Sequence, residues 1–224
     1  MKFPILTSCF FLSVNIANSQ SCDYYYLQDG KTAEITNYNR KGDEVGKTVY
    51  KVSSVSKSGS SSTSLVQTEL FDKKGKSFAK ASNSVKCTDG SLMIDMKMLL
   101  SPEQTGQIKA EAKASDVYLA YPPNMKTGDA LPDGQFNMEV KQDNGITTKV
   151  DVKITNRKVD AQEAVTTPAG TWQCFKITYH SAVKIGMMGI GIPIKADVTE
   201  WFAPGFGTVK TEAKGATTVL TKFQ

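Results

Sequence analysis

The chain is poor in the residues that most often carry chemistry. Of its 224 residues a single one is histidine, His180, so a zinc site built on several imidazoles has no basis here. A hydrolase triad needs a nucleophile and an orienting acid around its histidine. His180 follows Tyr179 near the end of an alternating stretch with no such partner in view, and it reads as an ordinary strand residue. Arginine is scarce too: Arg40 and Arg157 stand alone against a background of lysine. Phosphate and base-edge recognition leans on arginine forks, whereas scattered lysine solvates a surface and keeps exposed strand edges from pairing. Nucleic acid is therefore not an expected partner. After the N-terminus no stretch reaches the ~18 continuous apolar residues of a membrane helix. The nearest, Ile185 to Ile194, is broken by glycines and Pro193, so no membrane-spanning segment is expected in the mature chain.

What is present begins with an export leader. Lys2 gives a short basic start, and Phe3 to Ile16 is apolar apart from Pro4, Thr7, Ser8, Ser13 and Asn15. Ala17-Asn18-Ser19 then offers small residues at the positions a signal peptidase reads. Cleavage is expected after Ser19, which makes residues 1–19 a signal peptide and residues 20–224 one β-barrel-like domain. The formal net charge of +5 falls to +4 with the loss of Lys2. A lipid anchor on Cys22 is disfavoured, because Ser19-Gln20-Ser21 lacks the apolar residue expected three places before a lipidated cysteine. The product is expected to be periplasmic or secreted.

Three cysteines remain after cleavage: Cys22, Cys87 and Cys174. An odd count in an oxidising compartment implies one bridge and one leftover thiol. Cys22 and Cys87 lie at edges of regular structure, whereas Cys174 sits inside an apolar stretch and behaves as a small hydrophobe. A Cys22–Cys87 disulfide is expected.

The hydrophobic period is two almost throughout. Leu92, Ile94, Met96, Met98 and Leu100 alternate with Met93, Asp95, Lys97 and Leu99; Ile146, Thr148, Val150, Val152 and Ile154 alternate with Thr147, Lys149, Asp151, Lys153 and Thr155. Such alternation turns one side of a strand to a core and the other to water. A register slip of one residue would invert it, so register is strongly set. Arg40-Lys41-Gly42-Asp43, Ser58-Gly59-Ser60, Lys73-Lys74-Gly75-Lys76, Asp143-Asn144-Gly145 and Pro168-Ala169-Gly170 separate these runs with hairpin chemistry. The turns delimit strands near 32–38, 47–57, 63–72, 77–87, 91–99, 116–120, 135–142, 146–165, 171–184, 192–203, 207–213 and 216–223. About ten to twelve strands with turns between them predict an all-β, antiparallel barrel or half-barrel. One short helix is expected from Ser101, where an N-cap hydroxyl precedes Pro102 and Gln104, and it runs to about Lys113.

Candidate chemistry is thin. Met93, Met96, Met98 and the pair Met187-Met188 have the thioethers that suit copper(I). Met96 and Met98, however, share a face with Leu92 and Ile94, where thioethers fill gaps. Asp197 and Glu200 are odd-spaced on an expected strand, so they point to opposite faces and make a poor catalytic pair. Tyr24-Tyr25-Tyr26 could stack on a ligand, but packing is the simpler reading. No catalytic residue, metal or cofactor is expected.

Several segments carry a resemblance: Val152 to Val159, Thr166 to Tyr179, and above all Glu200-Trp-Phe-Ala-Pro-Gly-Phe-Gly-Thr-Val-Lys-Thr-Glu212. Cys22 with its tyrosines and Val85-Lys86-Cys87 fit as well. Together they resemble the TapB-like family of exported bacterial domains of unknown function, over essentially the whole mature chain. The resemblance implies a secreted or periplasmic β-rich domain and brings no activity, cofactor or functional residue. The closing motif reads as a strand ending in an aromatic pair and turned at Pro204-Gly205, with its glycines serving backbone shape and close approach.

A barrel of about eight or more strands can enclose one small ligand. The expected function is therefore a non-enzymatic envelope binding module for an apolar or lipid-like molecule, with Leu92, Ile94, Met96, Met98, Ile146, Val150 and Val152 lining its cavity. The alternative is a structural or interaction protein with a filled core that meets another envelope or secreted protein. A void lined by apolar side chains would favour the first, and a packed interior the second.

Overall fold

A computed structural model describes residues 22–99, 117–141, 147–187, 191 and 193–224. The expected leader and the expected helix from Ser101 lie outside the described residues. Twelve strands form one antiparallel sheet: β1 (Thr32–Tyr38), β2 (Glu44–Ser58), β3 (Ser61–Asp72), β4 (Ser77–Thr88), β5 (Ser91–Asp95), β6 (Tyr118–Tyr121), β7 (Gly134–Lys141), β8 (Thr147–Thr167), β9 (Gly170–Met187), β10 (Pro193–Ala203), β11 (Gly207–Ala213) and β12 (Ala216–Phe223). Their order is β6-β5-β4-β3-β2-β1-β12-β11-β10-β9-β8-β7. Two six-stranded meanders thus join where the first strand pairs with the last, Ile35 opposite Leu220. The sheet curls into an all-β, nearly closed barrel whose free edges, β6 and β7, face each other across a seam. At that seam a Cβ on Gly134 would stand 2.7 Å from Met96 Sδ and 2.9 Å from Leu119 Cδ1. The start of β7 is therefore in contact with β6, and with Met96 just past the end of β5, without a hydrogen-bonded ladder to either.

The strand limits follow the turn chemistry. Asn39 Oδ1 accepts the amides of Lys41 and Asp43, and Asp72 Oδ1 accepts those of Lys74 and Lys76, so each hairpin is fixed by the side chain that opens it. One expected strand is shortened. β5 ends at Asp95 and Met96–Leu99 form a 3-10 turn, so Met96 and Met98 do not continue the alternating strand. The cause is Asp95, whose Oδ1 accepts the Lys97 amide at 3.0 Å while its other oxygen pairs with Lys97 Nζ at 3.0 Å. A local side-chain acceptor of this kind competes with the ladder and turns the chain.

Cys22 and Cys87 are bridged, with Cα atoms 5.8 Å apart. The bridge ties the N-terminal segment to the end of β4. Tyr24, Tyr25 and Tyr26 are all buried, because a 3-10 turn over Tyr25–Leu27 replaces the strand that would have sent alternate rings outward. The Tyr25 ring lies 4.6 Å from Phe206, which also meets Trp172 at 4.3 Å and Phe223 at 5.0 Å. Three of the segments that carry the resemblance, those of Tyr25, Trp172 and Phe206, therefore converge on one aromatic cluster. Gly207 belongs to it: its φ is +133°, and a Cβ there would sit 2.9 Å from the Tyr26 ring. Among the described residues no helix is long and apolar enough to cross a membrane.

Cys174 is a free, buried thiol, and burial, followed by the nearby Glu163 carboxylate, pushes its pKa up to about 11. Thiolate is the reactive form. A thiol-reactive dye at about pH 8 should leave the folded chain unmodified and label one cysteine per chain once urea is added. Fast labelling of the folded protein would contradict this placement.

Candidate functional site

The apolar wall expected to line a cavity is assembled, but tightly. Leu92, Ile94, Met96, Val150 and Val152 lie in one contiguous core with 0 to 4 % of their surface exposed, and Met98 packs half-buried against it. Ile146 lies outside the described residues. Val150 and Val152 on β8 stand opposite Met138 and Phe136 on β7.

The polar centre of the barrel comes from residues that alternation does not mark. The inward series Thr148, Val150, Val152 and Ile154 would continue to Asn156. Instead the register of β8 against β9 shifts between Thr155 and Lys158, with Asn156 at φ +57°. A bulge adds one residue and re-aims the strand, so Arg157 and Val159 take the inward positions. Arg157 is 1 % exposed. Its Nη1 donates to the carbonyls of Ala120 on β6 and Pro132 before β7, both at 2.9 Å. One side chain from β8 thus holds both lips of the seam. Its guanidinium lies 4.7 Å over the Tyr121 ring, and that ring stacks on Phe202 at 4.5 Å. Nε and Nη2 have no hydrogen-bond partner among the described residues.

Tyr121 passes the connection on to β10. Its hydroxyl donates to Glu200 Oε1 at 3.0 Å and Oε2 at 3.2 Å, and the Thr208 hydroxyl donates to Oε1 as well. Glu200 is 2 % exposed. Burial raises its pKa, against the lowering effects of the Thr208 bond, the Arg157 charge and the Tyr121 bond. Burial, and then the Glu200 charge, likewise lift the Tyr121 hydroxyl well above its ordinary value. A carboxyl with a raised pKa can serve as a proton donor in catalysis. Here both oxygens are taken up by protein hydroxyls in an enclosed interior, an arrangement that braces β6 against β10.

A pH dependence follows. The folded state binds the Glu200 proton more tightly than the unfolded chain does, so the stabilising contribution is complete below the ordinary glutamate range. It is lost as pH rises through the raised folded value. Glu200→Gln should show no such loss, so its stability relative to wild type should increase with pH across the acid-to-neutral range in urea titrations. Parallel pH profiles for the two proteins would contradict the raised value.

The remaining candidates fall apart. Asp197 is exposed on the outer face while Glu200 is buried within, as their odd spacing implies. His180 is also on the outer face, with Nδ1 2.5 Å from Asp197 Oδ1. Among the described residues no group of three or more histidine, cysteine or acidic side chains could hold a metal ion. Two signals pointed to the polar centre. Glu200 interrupts the apolar series Val198, Phe202 on one strand face, and Arg157 follows an asparagine in an otherwise strictly alternating run.

The family matched by this chain spans residues 28–220, from just before β1 into β12. The chain belongs to the DUF3108-like family. This family assignment reaches all twelve strands, the last in part, and the narrower TapB-like resemblance gains no support from it. Two crystal structures are similar to this chain in fold. One is described as an exported protein with a YmcC-like fold from Bacteroides fragilis: it is 22 % identical, with 90 % of this chain and 98 % of that one covered, at a TM-score of 0.74. The other is described as a lipoprotein from Parabacteroides distasonis: it is 21 % identical, with 90 % and 99 % covered, also at 0.74. At such identities the likeness concerns the fold. No curated protein matches the sequence.

Proposed function

We propose that this DUF3108-like protein is an exported, non-enzymatic envelope domain that acts by contact at its outer surface. In this reading its interior is filled by its own side chains. The observation that carries it is the 0 to 4 % exposure of Leu92, Ile94, Met96, Val150 and Val152. A chamber bordered by those groups would leave them open to whatever occupied it, and close packing is the ordinary state of a core. The Arg157–Tyr121–Glu200 brace adds to this, since it joins β6, β8 and β10 across the space a ligand would need. Export is supported by the leader, by the disulfide, and by the two fold relatives, one described as an exported protein and the other as a lipoprotein. The Cys22–Cys87 bridge leaves Cys22 no free sulfur for a thioether-linked lipid, which favours a soluble product over an anchored one.

One intact-mass measurement under native, non-reducing conditions tests the reading on protein recovered from the producing cells. The expected species is the chain from Gln20 to Gln224 with one disulfide, no lipid and no adduct. A stoichiometric apolar molecule retained in the native spectrum and lost on unfolding would restore the binding-module reading. An acylated N-terminal cysteine would overturn the soluble one.

A further inference from the structure

The outer face of β8, β9 and β10 carries an open cleft of about 510 Å³. Its floor is low because Ala182 stands between Lys153 on β8 and Lys195 on β10 in the strand register. In the next row His180 stands between Thr155 and Asp197. Lys214, from the turn between β11 and β12, closes the far side. Lys195 and Lys214 are exposed and form no ion pair among the described residues, and neither does Lys153. The carboxylate in the cleft, Asp197, is engaged by His180 Nδ1 at 2.5 Å. That contact fixes the plane of the imidazole and leaves Nε2 for an incoming group.

Two ammonium groups without partners, a hydroxyl and a pre-oriented imidazole thus converge on a concave surface large enough for a small polar ligand. We propose that this cleft binds a phosphate-type oxyanion, with Lys195 and Lys214 on its oxygens and His180 Nε2 sharing a proton with it. Ammonium groups act as point charges toward phosphate, which suits a lysine-lined and arginine-free site. Asp197 serves to hold the ring and is not itself a ligand. The source is either the free anion or a phosphomonoester on an envelope sugar. The proposal does not depend on whether the barrel interior is packed, since the cleft lies on the opposite face of the wall.

The test exploits the single histidine, whose ring resonances report this cleft alone. Inorganic phosphate and glucose 6-phosphate are each added to the labelled chain, with potassium chloride at matched ionic strength as the control. Saturable shifts of His180 are expected with both phosphates and not with chloride. Lys195→Gln combined with Lys214→Gln should weaken binding by roughly tenfold or more while leaving the amide spectrum of the barrel unchanged. Tighter binding of the sugar ester assigns the cleft to a phosphorylated glycan, and equal binding assigns it to the free anion. Shifts that stay linear, that chloride reproduces, or that survive both lysine substitutions would overturn the proposal.

Discussion

Arg157→Ala should lower the unfolding free energy by about 3–5 kcal/mol, the range for removing a buried charged partner. The guanidinium makes two charge-assisted bonds to carbonyls on either lip of the seam, each worth about 1.5–3 kcal/mol to a charged group. Its contact with the Tyr121 ring adds about 0.5–2 kcal/mol. Offsetting part of this is the cost of its two nitrogens that have no hydrogen-bond partner among the described residues, which the alanine variant no longer bears. Domains of this kind hold about 5–15 kcal/mol in all, so the loss is a large share. Urea unfolding measures it directly. Arg157→Met, which keeps most of the volume, separates the packing contribution from the polar one. Hydrogen exchange should also speed up first in β6, the strand whose Ala120 carbonyl loses its donor. A change within about 0.5 kcal/mol, the range of ordinary surface substitutions, would mean that the seam is held by something else.

Reducing the Cys22–Cys87 bridge should have a comparable effect by another route. The two cysteines are 65 residues apart, and closing a loop of that length in the unfolded chain is worth about 4 kcal/mol on the chain-entropy account. For a chain of this size that corresponds to a fall in Tm of roughly 8–16 °C. Scanning calorimetry with and without reductant, with Cys87→Ser as the genetic equivalent, provides the number. The loss should fall first on the Tyr24–Leu27 turn, which the bridge holds next to β4, and so on the aromatic cluster around Phe206. An unchanged Tm after verified reduction would contradict the constraint.

These two predictions also separate what was legible in the sequence from what was not. Period-two alternation and glycine turns placed nearly every strand within a few residues of its observed limits, because both signals are local. The disulfide was legible for the same reason: two cysteines sat at element edges and one did not. The end of β5 was missed because Asp95 acts on the backbone two residues ahead, an effect alternation does not register. Arg157 was missed because a bulge moved it from the outer face to the inner one, and one inserted residue is invisible to a count of apolar positions. Its partners come from β6, the segment before β7 and β10, far apart in the chain. Their meeting is a property of barrel closure, which no single segment contains. Glu200 was read only as facing away from Asp197, and its role depends on Thr208 of the neighbouring β11 and on Tyr121 of β6, which only the closed sheet brings to it.

Whether the barrel's middle is solid protein is the question on which the functional reading turns, and dissolved xenon answers it most directly. Xenon enters dry apolar voids and perturbs the methyl groups around them. In methyl-resolved NMR under xenon pressure, Leu92, Ile94, Val150 and Val152 should show no saturable shift. Saturable shifts confined to those four side chains would reveal a chamber and contradict the packed interior.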